Sequence, residues 1–268
     1  MTPGHDQGST HLEESLAHLE RWCEEQRIAR SSVARVIEGV RISGRPGGGE
    51  QSPGQRASVA IPGLSAAPWW DSERFAWIPR LEATAQAVTE EYIAAAGGPS
   101  VLARSEQTAL AVSGRWKTLY LYCIGKACTK NIDACPRTIA ALDAIPEATG
   151  ASGGMCYFSI MDPGTHVAAH TGYTNAHLRC HLALVAPDGA RLRVHDETRA
   201  WTPGEVLVFD DSYEHEAWNA SDSERVVLLF DIWHPDLNDD EVRALTFLMG
   251  LWRRLVARRF WSSEILSR

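Results

Sequence analysis

Six of the ten histidines fall between residues 166 and 215: His166, His170, His177, His181, His195 and His215. A single histidine in a core is usually a hydrogen-bonded structural residue. Several on consecutive short strands of a barrel are different, because inward-facing positions converge on one cavity. His170 follows the turn Pro163-Gly164-Thr165, and His215 lies in a loop ahead of an apolar strand. Two neutral imidazoles from separate strands suit a divalent metal such as Fe(II). A non-haem iron site normally adds a carboxylate, often as H-x-D or H-x-E, yet His170-Thr171-Gly172 has glycine at that position. Spacing alone therefore leaves two readings open, a metal-binding pair and two structural histidines.

Other side chains add to the pattern. Arg179 and His181 are two apart on a candidate strand and so share a face. Arg225 opens the last strand. A buried arginine can hold a carboxylate through two parallel hydrogen bonds, but a surface ion pair with the adjacent Glu224 is equally compatible with the sequence. Ser159 and Trp116, taken alone, read as ordinary structural residues. The cysteines, at 23, 123, 128, 135, 156 and 180, contain no C-x-x-C pair, so free buried thiols are expected rather than a zinc clip.

The elements that must position these groups are mostly short strands. Leu178–Val185, Ala190–His195, Val206–Phe209 and Arg225–Trp233 read as strands, punctuated by Pro187-Asp188-Gly189 and Trp201-Thr202-Pro203-Gly204. Alternation at Leu119, Leu121 and Cys123, and at Tyr157, Ser159 and Met161, marks two more. This spacing predicts a mainly β protein, a double-sheet barrel of the jelly-roll or cupin type with flanking helices. Helical spacing covers 78–95, through Ile78, Leu81, Ala85, Val88 and Tyr92, and returns after Asp239. We divide the chain into a helical appendage at 1–43, a Gly/Pro/Ser-rich flexible linker at 44–58, a main domain at 59–238 and a C-terminal helical segment at 239–268.

Composition narrows the function. With 26 basic and 34 acidic residues the chain carries a net charge of -8, which argues against nonspecific nucleic-acid binding. A local basic pocket for a small acid remains compatible. No apolar run is long enough to span a membrane. The polar segment Met1 to Glu20 lacks the cationic and apolar regions of a secretion signal, so a cytoplasmic protein is expected.

Several motifs occur together in order: Gly164-Thr165-His166-Val167, His170-Thr171-Gly172, Leu178-Arg179-Cys180-His181-Leu182, Phe209-Asp210-Asp211-Ser212, Glu214-His215-Glu216 and Asp231-Ile232-Trp233-His234-Pro235. With Trp201, Gly204 and Pro68-Trp69-Trp70, they resemble the signature of the aspartyl/asparaginyl beta-hydroxylases, over roughly Val59 to Leu237. The resemblance implies a double-stranded beta-helix working with Fe(II), 2-oxoglutarate and O2. Family members use two histidines and no carboxylate, which matches Gly172. By this resemblance His170 and His215 are the metal ligands. Arg225 and Ser159 bind the distal carboxylate of 2-oxoglutarate, and Arg179 and His181 sit at its metal-proximal end. Trp116 and His177 take positions near the substrate. The animal enzymes carry an arginine where His177 stands and another in the segment matching Ala111–Gly114, both of which hold the substrate's acidic side chain. Their absence favours a different substrate, a free or carrier-bound amino acid or a related small metabolite. Three alternatives are weighed beside hydroxylation of that substrate. They are halogenation, lipid acyl-chain hydroxylation, and a non-catalytic cupin-like binding module.

Overall fold

All nine residues of Arg225–Trp233 are buried. An antiparallel strand with one face in water would alternate in polarity, so both faces here must be covered. The computed structural model describes residues 6–43, 50–97, 105–106, 109–148, 150 and 152–260. Within them the chain opens with helices α1 (Asp6–Gln26) and α2 (Ala34–Ile42), strand β1 (Trp69–Trp70), and helices α3 (Ile78–Glu82) and α4 (Ala85–Gly97). Strands β2 (Ser105–Glu106), β3 (Ala111–Ser113), β4 (Trp116–Cys123) and β5 (Lys126–Ala127) follow, then helices α5 (Thr129–Ala134) and α6 (Pro136–Asp143). The last stretch is β6 (Cys156–Met161), β7 (Thr165–His170), β8 (His177–Val185), β9 (Ala190–Val194), β10 (Glu197–Ala200), β11 (Val206–Phe209), β12 (His215–Asn219), β13 (Arg225–Trp233) and helix α7 (Asp239–Phe260).

The strands form two antiparallel sheets of a jelly roll. The major sheet runs β1-β11-β8-β13-β6-β4-β2, with β5 also paired to β4, and the minor sheet runs β10-β9-β12-β7-β3. Alternate residues of the major sheet explain its burial. Leu119, Phe158, Ile160, Cys180, Leu182, Leu228 and Phe230 face outward into a core with Leu81, Val88, Tyr92 and Leu142 of the helices. The residues between them, including Trp116, Tyr157, Ser159, Arg179, His181, Arg225 and Leu229, face a cavity shared with the minor sheet. Ser159, Arg179, His181 and Arg225 are thus carried on a sheet whose other face is packed against the helices.

The front helices share a second core with the other end of the chain. Leu19, Val36, Ile37 and Val40 pack with Trp233, Leu245, Leu248 and Trp252. Arg35 seals this junction with a two-pronged ion pair to the buried Glu241, at 2.8 and 2.6 Å. Of the Gly/Pro/Ser-rich stretch, residues 44–49 lie outside the described residues. Beyond them Gln55 is buried and donates to Asp210 at 2.8 Å, and the Arg56 N–H donates to Ser212 O at 2.8 Å. Residues 261–268 of the C-terminal segment also lie outside the described residues.

Local differences from the sequence reading have identifiable causes. The helix expected over 78–95 is two helices, interrupted where the Thr84 hydroxyl donates to Leu81 O at 2.6 Å. Trp69-Trp70, noted in sequence only as part of a motif, pairs with β11 as a two-residue strand. His215 opens a strand rather than lying in a loop, because β12 is held between β7 and β9. Strand β9 stops at Val194, since His195 turns the chain with φ 53°. No described helix is long and apolar enough to cross a membrane.

Candidate active site

Pairing of β12 with β7 places His215 directly opposite His170. Their ring centroids are 4.1 Å apart. His170 Nδ1 donates to Ala168 O at 2.8 Å, and His215 Nδ1 donates to Tyr213 O at 3.0 Å. A carbonyl only accepts, so each Nδ1 carries the proton and each Nε2 is left unprotonated. Burial pushes the pKa of both rings down, and for His215 the neighbouring His170 pushes it further. Two neutral imidazoles oriented through backbone carbonyls are the usual preparation for a metal ligand pair. Among the described residues no group of three His, Cys, Asp or Glu side chains converges to hold a metal.

The missing carboxylate has a steric explanation. A Cβ on Gly172 would collide with both carboxylate oxygens of Asp211, and the Gly172 N–H donates to Asp211 O at 2.6 Å. The space of a side chain at 172 is thus filled by Asp211 from the opposite loop. Asp211 is engaged by Arg179, Nη1 to Oδ2 at 2.7 Å, and Arg179 also meets Asp231, Nε to Oδ1 at 3.0 Å. Burial works against the Arg179 charge, but the two carboxylates outweigh it and raise its pKa. Burial pushes the Asp211 carboxyl upward, against the pull of Arg179.

Arg225, at the other end of the cavity, is 2% exposed. Its Nη1 donates to Ser159 O at 3.0 Å and to Ser159 Oγ at 3.2 Å. Glu224, the neighbour that a surface pair would use, binds Lys117 at 2.9 Å instead. No carboxylate of the described residues pairs with Arg225, and burial lowers its pKa to about 9. The guanidinium lies 4.7 Å from the centre of the Trp201 ring. Arg225 Nε and the nearby His181 Nε2 are buried without a hydrogen-bond partner. Such groups are costly to bury unsatisfied, by about 1–3 kcal/mol each. An acidic ligand between Arg225, Ser159 and His181 would satisfy both, so these residues fit the distal carboxylate of a diacid.

His170, His215, Ser159, Arg179, His181, Arg225 and Trp116 therefore line one cavity. Trp116 donates its indole N–H to Ser159 Oγ at 3.0 Å. His177 is not among the lining residues. It is fully buried against Trp233, ring centroids 4.5 Å apart, and burial lowers its pKa to about 4. Sequence reasoning gave Asp211, Asp231 and Trp201 only places in motifs and Tyr157 only a place in a strand. The available signal was the pair of adjacent carboxylates in the apolar context Val208-Phe209-Asp210-Asp211. A larger groove of about 390 Å³ lies between α3, α4 and α6, lined by Trp77, Arg80 and Arg137. Arg137 is engaged by Glu90 and Glu91 there, and no convergent chemistry accompanies it.

The profile of the aspartyl/asparaginyl beta-hydroxylase family matches residues 82–235. The chain belongs to that family. It is 38% identical over 198 residues to the human aspartyl/asparaginyl beta-hydroxylase, covering 71% of this chain and 26% of that protein. It is 37% identical to the ornithine lipid ester-linked acyl 2-hydroxylase of Rhizobium tropici, over 64% of this chain and 62% of the relative. It is 32% identical to human aspartate beta-hydroxylase domain-containing protein 2, over 84% of this chain and 63% of the relative. The chain thus spans about a quarter of the first relative's length and under two thirds of the other two. A solved Pseudomonas putida prolyl-4-hydroxylase aligns with 57% of this chain and 87% of its own at 15% identity and a TM-score of 0.38, a distance that adds nothing to the sheets described above.

Proposed function

We propose that this beta-hydroxylase family member is an Fe(II)- and 2-oxoglutarate-dependent hydroxylase of an amino acid, free or carrier-bound, or of a related small metabolite. The observation that carries the reading is Arg225, a buried guanidinium with no carboxylate of its own, in the same cavity as two imidazoles with unprotonated Nε2 atoms. His170 and His215 would hold the ferrous ion through Nε2. Arg225 and Ser159 would anchor the distal carboxylate of 2-oxoglutarate. His181, which shares Trp201 with Arg225, would join them there rather than at the metal-proximal end, which is left to Arg179. When bound, the iron and 2-oxoglutarate supply oxidative decarboxylation by O2 and insertion of one oxygen atom into a substrate C–H bond.

The chain's own residues prepare the site for that chemistry. The Ala168 and Tyr213 carbonyls keep both ligand rings in the tautomer that presents Nε2. Asp211 and Asp231 neutralise Arg179, so Arg225 remains the cavity arginine open to an anion. Val167, Leu192, Phe209 and Leu229 form an apolar wall that excludes water. The Asp211 carboxylate, filling the space beside Gly172, disfavours a halide there and with it halogenation. The apolar wall and the Rhizobium tropici relative favour a second reading, hydroxylation of a lipid acyl chain.

Anaerobic titration of the protein with Fe(II) and 2-oxoglutarate should produce a weak visible charge-transfer band. Full iron loading without the band overturns the proposal. His215→Ala should abolish succinate formation. Mass spectrometry of amino-acid and acyl-lipid panels, scored for a gain of one oxygen, separates the two substrate readings.

A further inference from the structure

The direction of each proton at the Arg225 end follows from its partners. An indole N–H can only donate. Trp201 Nε1 lies 3.2 Å from His181 Nδ1, so Nδ1 must accept and the ring proton of neutral His181 must sit on Nε2. That Nε2 is one of the buried atoms without a partner. Trp116 Nε1 and Arg225 Nη1 both reach Ser159 Oγ, at 3.0 and 3.2 Å. A hydroxyl oxygen has two lone pairs. Both are occupied here, so the Ser159 O–H is left to donate. His181 and Ser159 could each either donate or accept, and each is held to donation by an indole.

We infer that Trp201 and Trp116 are positioning residues that make this end of the cavity donor-only, by fixing the tautomer of His181 and the hydroxyl direction of Ser159, so that it selects a carboxylate over a neutral or hydrogen-bond-donating ligand. The inference rests on the proposed binding of 2-oxoglutarate for its ligand, and on the hydrogen-bond geometry alone for its proton positions. Trp201 has a second contact with the same outcome. Its ring faces the Arg225 guanidinium at 4.7 Å, favouring the cation where no carboxylate does so. The site therefore stays charged and donor-rich before any ligand arrives, and a bound carboxylate displaces no internal acceptor.

The test reads the tautomer directly. In ¹⁵N-labelled protein without metal, the His181 ring, assigned by its loss in His181→Ala, should show the shift pair of a neutral Nε2–H imidazole. Trp201→Phe keeps a ring beside Arg225 and removes only the donor. It should convert His181 to a tautomer mixture and weaken 2-oxoglutarate binding by roughly tenfold or more. In the His181→Ala background the same Trp201→Phe change should cost at most a small further loss, because its partner is already gone. An Nδ1–H tautomer in the wild-type protein overturns the inference, and so does an undiminished Trp201→Phe penalty in the His181→Ala background. The wild-type tautomer measurement stands even if the variant does not fold. Wild-type protein with the expected tautomer but no affinity for 2-oxoglutarate would overturn the proposed function rather than the proton assignment.

Discussion

Two arginines line one cavity and behave oppositely. Arg179 has two carboxylates, Asp211 and Asp231, and they raise its pKa against the effect of burial. Arg225 has none, and burial alone brings it down to about 9. The same side chain is thus an internal tie at one end and, in the proposed function, an anion receptor at the other. Arg179 keeps 17% of its side chain exposed and Arg225 is buried, but exposure is not the main difference. What separates them is whether the fold itself supplies the counter-charge.

The strongest way to break this comparison is Arg179→Met. It strands two buried carboxylates and should destabilise the protein by about 3–5 kcal/mol, read by denaturant unfolding. Arg225→Met should do the reverse. Stability stays within about 1 kcal/mol of wild type or improves, since a buried unpaired charge is lost, while calorimetry should show 2-oxoglutarate affinity falling by roughly a hundredfold. Equal destabilisation by both changes would erase the distinction. Gly172→Ala sharpens it from the side of Asp211, because the new methyl must displace a carboxylate already tied to Arg179. Overpacking there should cost about 1–3 kcal/mol, visible as a lowered Tm.

The smallest effect is a pH slope. His177 stays neutral in the folded protein down to about pH 4, whereas the unfolded chain takes up that proton near pH 6.5. The unfolded state binds more protons in this window, so stability falls as pH falls through it. His177→Phe keeps a ring against Trp233 and should reduce the loss between pH 6.5 and pH 5 by roughly 1–2 kcal/mol. An unchanged slope in unfolding titrations would show that His177 takes up its proton in the folded state.

Much of the frame was legible because apolar runs, turn residues and histidine spacing are local signals. Arg225–Trp233 read as a strand from its own residues, and so did Val206–Phe209. The pairing of His170 with His215 was not legible from spacing, since it depends on β7 and β12, far apart in sequence, pairing side by side in the minor sheet. Gly172 illustrates the limit best. In sequence it is an absent ligand, and in three dimensions it is space for Asp211, thirty-nine residues further along the chain. The division of labour between Arg179 and Arg225 was equally hidden, because neither Asp211 nor Asp231 is close to Arg179 in sequence. Glu224, beside Arg225 in sequence, turned out to serve Lys117.

The segment from Gln55 to Ile61 carries one more consequence. It is tied at one side to the loop before His215, through Gln55 to Asp210 and Arg56 to Ser212. At the other side it is tied to the loop after His170, through Val59 to Tyr173 and Ile61 to Asn175. Together with the Gly172 N–H to Asp211 O bond, this belt holds the two loops to one another. Opening the histidine pair and peeling the belt are therefore one mechanical event, and a metal that clasps the two rings would lock shut a stretch of chain more than a hundred residues upstream of either.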